Sequence, residues 1–296
     1  MQQRKVVILG GSGQLGVELC REFERRNWIV QKFDRKSLDV TDANLVESAI
    51  AQADPQVVVN SAAYNQVDIA ETEPRAAYDA NAFAVRNLAM ACRQLGARLV
   101  HYSTDYVFDG TKGSPYVESD GPHPLGAYGV SKLAGELYAQ AYLDNPLVLR
   151  TSGVFGPAGL FTPRGNFLEL MLRLAKGNAP IRVVQDYVAS PTYAPAMAER
   201  TADLVEKEIG GLFHLGGGEP ISWYKYAEMI FDLAGLSPSL TPTDAREYRT
   251  AARRPQYSAL SNSKLEQAGM KPMPPLREAI RDYLKAREHI TAHRSS

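Results

Sequence analysis

The sequence predicts an α/β protein built on a doubly wound parallel sheet, with a smaller lobe in its C-terminal half. Three observations carry that prediction. Short apolar runs alternate with amphipathic helical patterns through the first half of the chain, a glycine-rich turn joins the first run to the first helix, and after Arg150 the alternation loosens into Gly- and Pro-rich segments. Strands that alternate with helices pair in parallel, because each return to the sheet is made through a crossover helix. With 296 residues, 45% of them hydrophobic, the chain can bury a large core and carry a second, smaller lobe.

The strand runs are residues 5–9, 28–33, 56–60, 98–102 and 147–150, each rich in Val, Leu, Ile or aromatics, so five parallel strands is a minimum. Between them helices are expected at 14–26, with Leu15, Leu19 and Phe23 on one face, and at 42–53, with Thr41 as the cap. Gly96 ends a third helix, 81–95. A fourth, 127–142, places Leu133, Leu137 and Ala141 at helical spacing and stops before Asp144, Asn145 and Pro146. Beyond Arg150, helices are expected near 166–176, 194–208 and 223–234, and 289–296 reads as a frayed polar tail. No internal repeat interrupts this order.

Composition narrows the partners. The 33 Lys and Arg balance the 33 Asp and Glu, so no net field draws the chain to nucleic acid or to an anionic membrane, and a small molecule is the expected partner. Cys20 and Cys92 fall inside predicted helices, away from any cluster with metal-ligand spacing, and read as buried thiols; no metal site is expected. The apolar stretch 6–9 near the amino terminus is too short for a signal-peptide core, which with the low cysteine content points to the cytoplasm.

The glycine turn reads Gly10-Gly11-Ser12-Gly13-Gln14-Leu15-Gly16, immediately after a strand and before a helix. Glycines there permit a tight turn and close backbone approach to a pyrophosphate, and the helix N-terminus offers free amides and partial positive charge. Residues 13–15 are thus expected to line the phosphates, and 1–150 reads as a Rossmann-type NAD(P)-binding domain. The second strand ends at Asp34, placed to accept hydrogen bonds from ribose hydroxyls, while the adjacent Arg35 could hold a 2′-phosphate, so NADPH and NADH both remain open. Asp39 and Val40 could frame the adenine, with a plain capping role for Asp39 equally open. Ala62, Ala63 and Tyr64 leave the third strand, the first two small enough for close approach. Residues 151–296 read mainly as a substrate-binding lobe, some segments of which return to the first domain.

Tyr128 and Lys132 are four residues apart on one predicted helix, so they project about 40° apart around its axis and can share one site. An ammonium beside a phenol favours the phenolate and lowers its pKa. Thr104 follows the fourth strand at its carboxyl end, where parallel sheets collect ligands, and could hydrogen-bond a carbonyl oxygen. Thr104, Tyr128 and Lys132 then make one proton-donating unit.

Together these residues resemble the extended short-chain dehydrogenases and, within them, the dTDP-4-dehydrorhamnose reductases. The likeness runs through the glycine turn, Val59-Asn60-Ser61-Ala62-Ala63-Tyr64, Asn81, His101-Tyr102-Ser103-Thr104-Asp105-Tyr106-Val107-Phe108-Asp109-Gly110, Tyr128-Gly129-Val130-Ser131-Lys132-Leu133-Ala134-Gly135-Glu136, Ser222-Trp223 and Arg254-Pro255-Gln256-Tyr257-Ser258. The resemblance implies an NAD(P)H-dependent reduction of the C4 keto group of a nucleotide-linked 6-deoxysugar, with Tyr128 as acid, Lys132 tuning it and gripping ribose, and Thr104 positioning the oxygen. It places Tyr64, Asn65 and Tyr102 beside the cofactor, and Asn65, Val67, Asp105, Gly153, Asn166 and Arg254 toward the substrate. Arg164, Arg182, Lys225, Arg253 and Arg254 are the cations available for its diphosphate.

Two positions depart from the family pattern. Typical members carry a Trp beside the sugar after their Arg-Thr-Ser run, where this chain has Gly153; the place either leaves room for a bulkier or differently oriented sugar or is filled by a neighbour such as Phe155 or Phe161. Some members dimerise around magnesium; Glu18 matches one such ligand, but 195–197 lacks a second, and a monomer or homodimer is expected. The rival readings are a nucleotide-sugar epimerase or dehydratase, which keeps its cofactor bound through the cycle, and a silent binding protein like the regulatory subunit of methionine adenosyltransferase, which would consume no NAD(P)H.

Overall fold

The computed structural model describes residues 3–162, 165–177 and 179–295, with 292–295 described by their backbone alone. The first half runs β1 (Lys5–Leu9), α1 (Gln14–Arg25), β2 (Ile29–Phe33), α2 (Ala43–Ala53), β3 (Val57–Asn60), α3 (Pro74–Tyr78), α4 (Ala84–Leu95), β4 (Arg98–Thr104), α5 (Ala127–Tyr142) and β5 (Leu147–Thr151). The second half adds α6 (Phe167–Leu174), β6 (Ile181–Val184), β7 (Val188–Ala189), α7 (Ala194–Glu206), β8 (Gly211–Leu215), β9 (Ile221–Ser222), α8 (Trp223–Ala234), β10 (Leu240–Thr243), α9 (Ser263–Gln267) and α10 (Leu276–Ser295).

Six strands pair in parallel in the order β2-β1-β3-β4-β5-β8. The period-two alternation of a strand divides their side chains between two layers. Val6, Ile8, Val57, Val59, Val100 and Leu149 pack under α1 and α7 against Leu19, Phe23, Met197 and Leu204. Val7, Leu9, Val58, Leu99 and Val148 pack on the other face against Val46 and Ile50 of α2, Val85 and Leu88 of α4 and Ala139 of α5. Because β2 lies on one side of β1 and β3 on the other, the strand order switches there, and such a switch leaves a crevice at the carboxyl ends of the strands. A third cluster, with Phe155, Leu168, Tyr226, Ile280 and Tyr283, joins α6, α8 and α10 in the smaller lobe. Both cysteines are buried and unpaired. Among the described residues no helix is long and apolar enough to cross a membrane.

The structure corrects four details of the sequence reading. Asp42, not Thr41, caps α2: its carboxylate accepts from the amides of Asn44 and Leu45, while Thr41 donates to Asp39. The helix expected from residue 81 begins as α3 and passes through a π turn, Asp79–Phe83, into α4, which Gly96 ends at φ 66°. The polar tail is the end of α10, whose Leu276, Ile280 and Tyr283 are buried in the small lobe. On α5 the predicted apolar stripe is not the core face: Leu137 is 57% exposed, and Ser131, Lys132, Gly135, Glu136 and Ala139 are buried instead.

Candidate active site

The glycine turn has the shape a close-bound phosphate requires. Gly10 sits at φ 77°, and a Cβ there would lie 2.8 Å from the Ala62 amide nitrogen; one on Gly16 would lie 2.1 Å from the Gly10 carbonyl oxygen. Larger residues would push the turn off the sheet. The Gly13 amide donates to the Gly10 oxygen at 2.8 Å, and no side chain caps the first turn of α1. The Gln14 and Leu15 side chains are engaged elsewhere. Leu15 packs on the sheet, while the Gln14 amide donates to the Val154 oxygen and its oxygen accepts from the Gly156 amide and from Asn166 Nδ2.

Asp34 closes β2 beside this turn. Its Oδ2 accepts from Ser12 Oγ at 3.0 Å and its Oδ1 from the Lys36 and Ser37 amides, and the Ser37 bond leads the effects that hold its pKa below the usual carboxylate range. Arg35 is exposed next to it, and Val40 is half-buried. Asp39 takes the capping role, accepting from the Thr41 amide and hydroxyl. Across the switch point, Ala62 lies against Gly10, Ala63 is exposed, and the backbone of Tyr64 is held at both ends by Asn81, whose Nδ2 also donates to Ser131 Oγ of α5.

Thr104, Asp105 and Tyr128 meet at a cleft of about 230 Å3 beyond the carboxyl ends of β4 and β5, also lined by Val67, Tyr106, Ser152, Gly153, Tyr187, Trp223 and Arg254. The cleft is smaller than a whole-ligand pocket of roughly 300–1,000 Å3 and suits one ring with its remainder outside. Lys132 is not among the residues that line it: it is 2% exposed, its Nζ donating to the Tyr102 carbonyl at 2.5 Å. Burial pushes Lys132 down to about 8, only partly opposed by Glu136. Burial pushes Tyr128 up to about 12 against a hydrogen bond with Thr104, so the phenol is held protonated, the reverse of the expected shift toward phenolate. Desolvation leads that shift and the Asp105 carboxyl adds to it.

Thr104 Oγ1 accepts from the Tyr106 amide at 3.1 Å and donates to Asp105 Oδ1 at 3.0 Å. Asp105 is buried and its Oδ2 accepts from Ser152 at 2.8 Å and Ser258 at 2.5 Å. Burial raises its pKa against those three hydroxyls.

Other expected contacts turn away from the cleft. Asn166 caps α6 through the Glu169 amide and holds Gln14, so its side chain serves the glycine turn. The Tyr102 ring is core, its hydroxyl 2.5 Å from Thr201 Oγ1, leaving only its carbonyl for Lys132. Asn65 is exposed and outside the lining of the cleft. Among the diphosphate candidates, Arg182 pairs with Glu247 and Lys225 with Glu228, Arg253 lines a small neighbouring pocket, and Arg164 lies outside the described residues. Of the described candidates Arg254 alone borders the cleft, held by Asp68 in a two-pronged pair at 3.0 and 2.7 Å. Glu18 pairs with Arg21, and no group of three or more metal-ligating side chains occurs among the described residues.

Gly153 does line the cleft, at φ 48°, but neither expected aromatic covers it. Phe155 is sealed in the small-lobe core and Phe161 is 52% exposed; the indole of Trp223 lies there instead, 3.2 Å from where a Cβ would stand. Tyr187, Val188, Ala189 and Trp223 line the cleft without having been given a site role from the sequence. For Trp223 the signals were the start of a helix and the Ser222-Trp223 pair of the family likeness, neither of which says by itself that it faces a cleft.

The family described as RmlD substrate binding domain matches residues 4–289. Spore coat polysaccharide biosynthesis protein SpsK of Bacillus subtilis is 37% identical over 283 residues, 96% of this chain and 98% of its own length. The dTDP-4-dehydrorhamnose reductase of Burkholderia thailandensis is 37% identical over 93% of this chain and 96% of its length. Among solved structures, dTDP-4-dehydrorhamnose reductase of Bacillus anthracis str. Ames in complex with NADP superposes with a TM-score of 0.91 at 34% identity, covering 96% of this chain and 99% of that one. With this sheet, this glycine turn and these likenesses along nearly its whole length, the chain belongs to the dTDP-4-dehydrorhamnose reductase family.

Proposed function

We propose that the protein reduces the C4 keto group of dTDP-4-dehydrorhamnose to the alcohol of dTDP-rhamnose, with NADPH as reductant, in the cytoplasm. The observation that carries this reading is the convergence of Thr104 and Tyr128 on one cleft at the carboxyl ends of the central strands, with Lys132 buried one turn along the helix that carries Tyr128. A dinucleotide fits the residues present. A Cβ would fill the cradle at Gly10 and Gly16, the first turn of α1 carries no side-chain cap, and Arg35 stands exposed beside Asp34 for a 2′-phosphate. When bound, the cofactor supplies the hydride that goes to C4.

The protein's own residues handle the oxygen. Tyr128, held as a phenol, gives its proton to the oxygen as negative charge develops there, and the resulting phenolate is stabilised by the Lys132 ammonium on the same helix face. Thr104 fixes the carbonyl oxygen relative to that phenol. Its hydroxyl donates to Asp105 and hydrogen-bonds Tyr128, so the incoming oxygen takes over one of those bonds. Arg254, already at the cleft, faces the diphosphate at the cost of part of its pairing with Asp68.

A panel of nucleotide-linked 4-keto-6-deoxysugars, with NADPH oxidation followed by absorbance, tests the reading. Turnover is expected with dTDP-4-dehydrorhamnose, falling at least about 10²-fold in Tyr128→Phe, the scale of general acid catalysis. Turnover of other sugars but not that one would replace the substrate, and Tyr128→Phe at wild-type rate with chemistry limiting would remove Tyr128 as the acid.

A further inference from the structure

Trp223 is half-buried at the first position of α8, where it lines the cleft and packs against aromatic neighbours. Phe167 meets it edge-on at 4.7 Å and Tyr226 lies 6.0 Å away, and those two rings stack on each other at 5.3 Å. Its backbone is fixed as firmly as its ring. The Trp223 amide donates to the Tyr187 carbonyl at 3.1 Å, Ser222 caps the helix through the Lys225 amide, and β9 pairs with β7 directly before it. The indole therefore stands as a rigid plate.

Beneath that plate the backbone is bare. Gly153 occupies the left-handed region, where a side chain is disfavoured, and a Cβ there would press on Trp223 Cη2 at 3.2 Å and on Pro191 Cα at 3.3 Å. The same cleft holds the Thr104 and Tyr128 hydroxyls, so a ring that brings its carbonyl to them must rest against its remaining walls. Five of the twelve remaining lining residues present apolar side chains: Val67, Val188, Ala189, Pro255 and Trp223. Sugar C–H faces and a methyl group pack on such an aromatic plate, whereas a diphosphate does not.

We propose that Trp223 is the stacking residue for the sugar ring, holding its apolar face while Thr104 and Tyr128 take the keto oxygen. This rests on the sugar-nucleotide reading above. The contact is made before and during the reaction alike, so it governs KM more than kcat.

Fluorescence tests the contact without turnover, because Trp28 is the only other tryptophan and lies 7% exposed against Phe23 in the sheet layer under α1. In wild type and in Trp28→Phe, dTDP-rhamnose is expected to shift or quench the emission, and dTDP alone to do so far less. Trp223→Phe should abolish the response. An equal response to dTDP alone, or a full response surviving in Trp223→Phe, overturns the proposal. Kinetically, Trp223→Ala should raise KM for the keto sugar on the order of tenfold with kcat within about threefold, and Trp223→Phe should recover part of the loss. NADPH affinity, unchanged in both variants, reports that they are folded. An unchanged KM in a Trp223→Ala variant that binds NADPH normally also overturns the proposal, whereas absence of wild-type turnover with this sugar would instead fail the functional reading.

Discussion

Burial sets the charge states at the reacting residues, and the direction of each shift suits a reduction. Tyr128 is pushed up to about 12 by desolvation and stays a proton donor across the working range, while Lys132, pushed down by burial from 10.5 to about 8, is the group that titrates near neutrality. If the ammonium stabilises the phenolate, kcat/KM is high below about 8 and falls as pH rises through it. A pH profile of kcat/KM checks this, and a flat profile from 7 to 10 would remove the ammonium from the mechanism. Stability has the opposite slope for this group. Its folded pKa lies below its unfolded one, so the unfolded chain binds more protons between about 8 and 10.5 and the penalty of burying the charge is relieved as pH rises through that window. At this scale the sequence shows which residues carry chemistry but not how they are solvated. That Tyr128 and Lys132 share one helix is legible from the sequence; the desolvation that reverses the expected shift of the phenol depends on the sheet and on the small lobe, which no local pattern contains.

Helix α5 shows what an element must give up to deliver two side chains. Its glycines let the backbone close on its neighbours: a Cβ on Gly129 would lie 2.3 Å from the Tyr106 oxygen, and one on Gly135 2.2 Å from the Asn81 oxygen. That approach sinks Lys132 to the Tyr102 carbonyl and leaves Leu137 outside. Helical spacing in Leu133, Leu137 and Ala141 finds the helix and its ends but not its inner face, because the buried side is chosen by small residues and a lysine rather than by apolar bulk. Gly135→Ala is expected to destabilise the fold by about 1–3 kcal/mol, the usual scale of overpacking, and to lower kcat further by lifting Lys132. Denaturant unfolding with kcat on the folded fraction measures both, and an alanine variant of wild-type stability would show that the helix has room. The missed helix α10 is a different case. Leu276, Ile280, Tyr283 and Leu284 have helical spacing after Pro274 and Pro275, so its signal was present, masked by the charged residues of its exposed side.

On the scale of the whole molecule, the strand order and the two lobes bring distant segments to one cleft: Val67 after β3, Thr104 and Asp105 after β4, Ser152 and Gly153 after β5, and Trp223 and Arg254 from the second half. Of these pieces Thr104 was legible from its place after a strand, whereas Val67, Asp105 and Gly153 came to the substrate through the family resemblance. Arg254 came through that resemblance and as one of five available cations, and Trp223 was given no place there, since their approach depends on how α8 and the chain around Pro255 pack against the sheet. The two-pronged Asp68–Arg254 pair ties these halves across the site, joining the loop after β3 to the segment before Tyr257. The central claim, that this assembled cleft reduces C4 of the sugar and does not merely hold a cofactor, is tested most directly by isotope transfer. NADPH carrying deuterium at the transferable position of nicotinamide C4 is incubated with the protein and dTDP-4-dehydrorhamnose, and the sugar product is examined by mass spectrometry and NMR. The account predicts one deuterium at sugar C4 for each NADPH consumed. Deuterium absent from C4, or a folded protein that binds NADPH yet consumes none with this sugar, would contradict it.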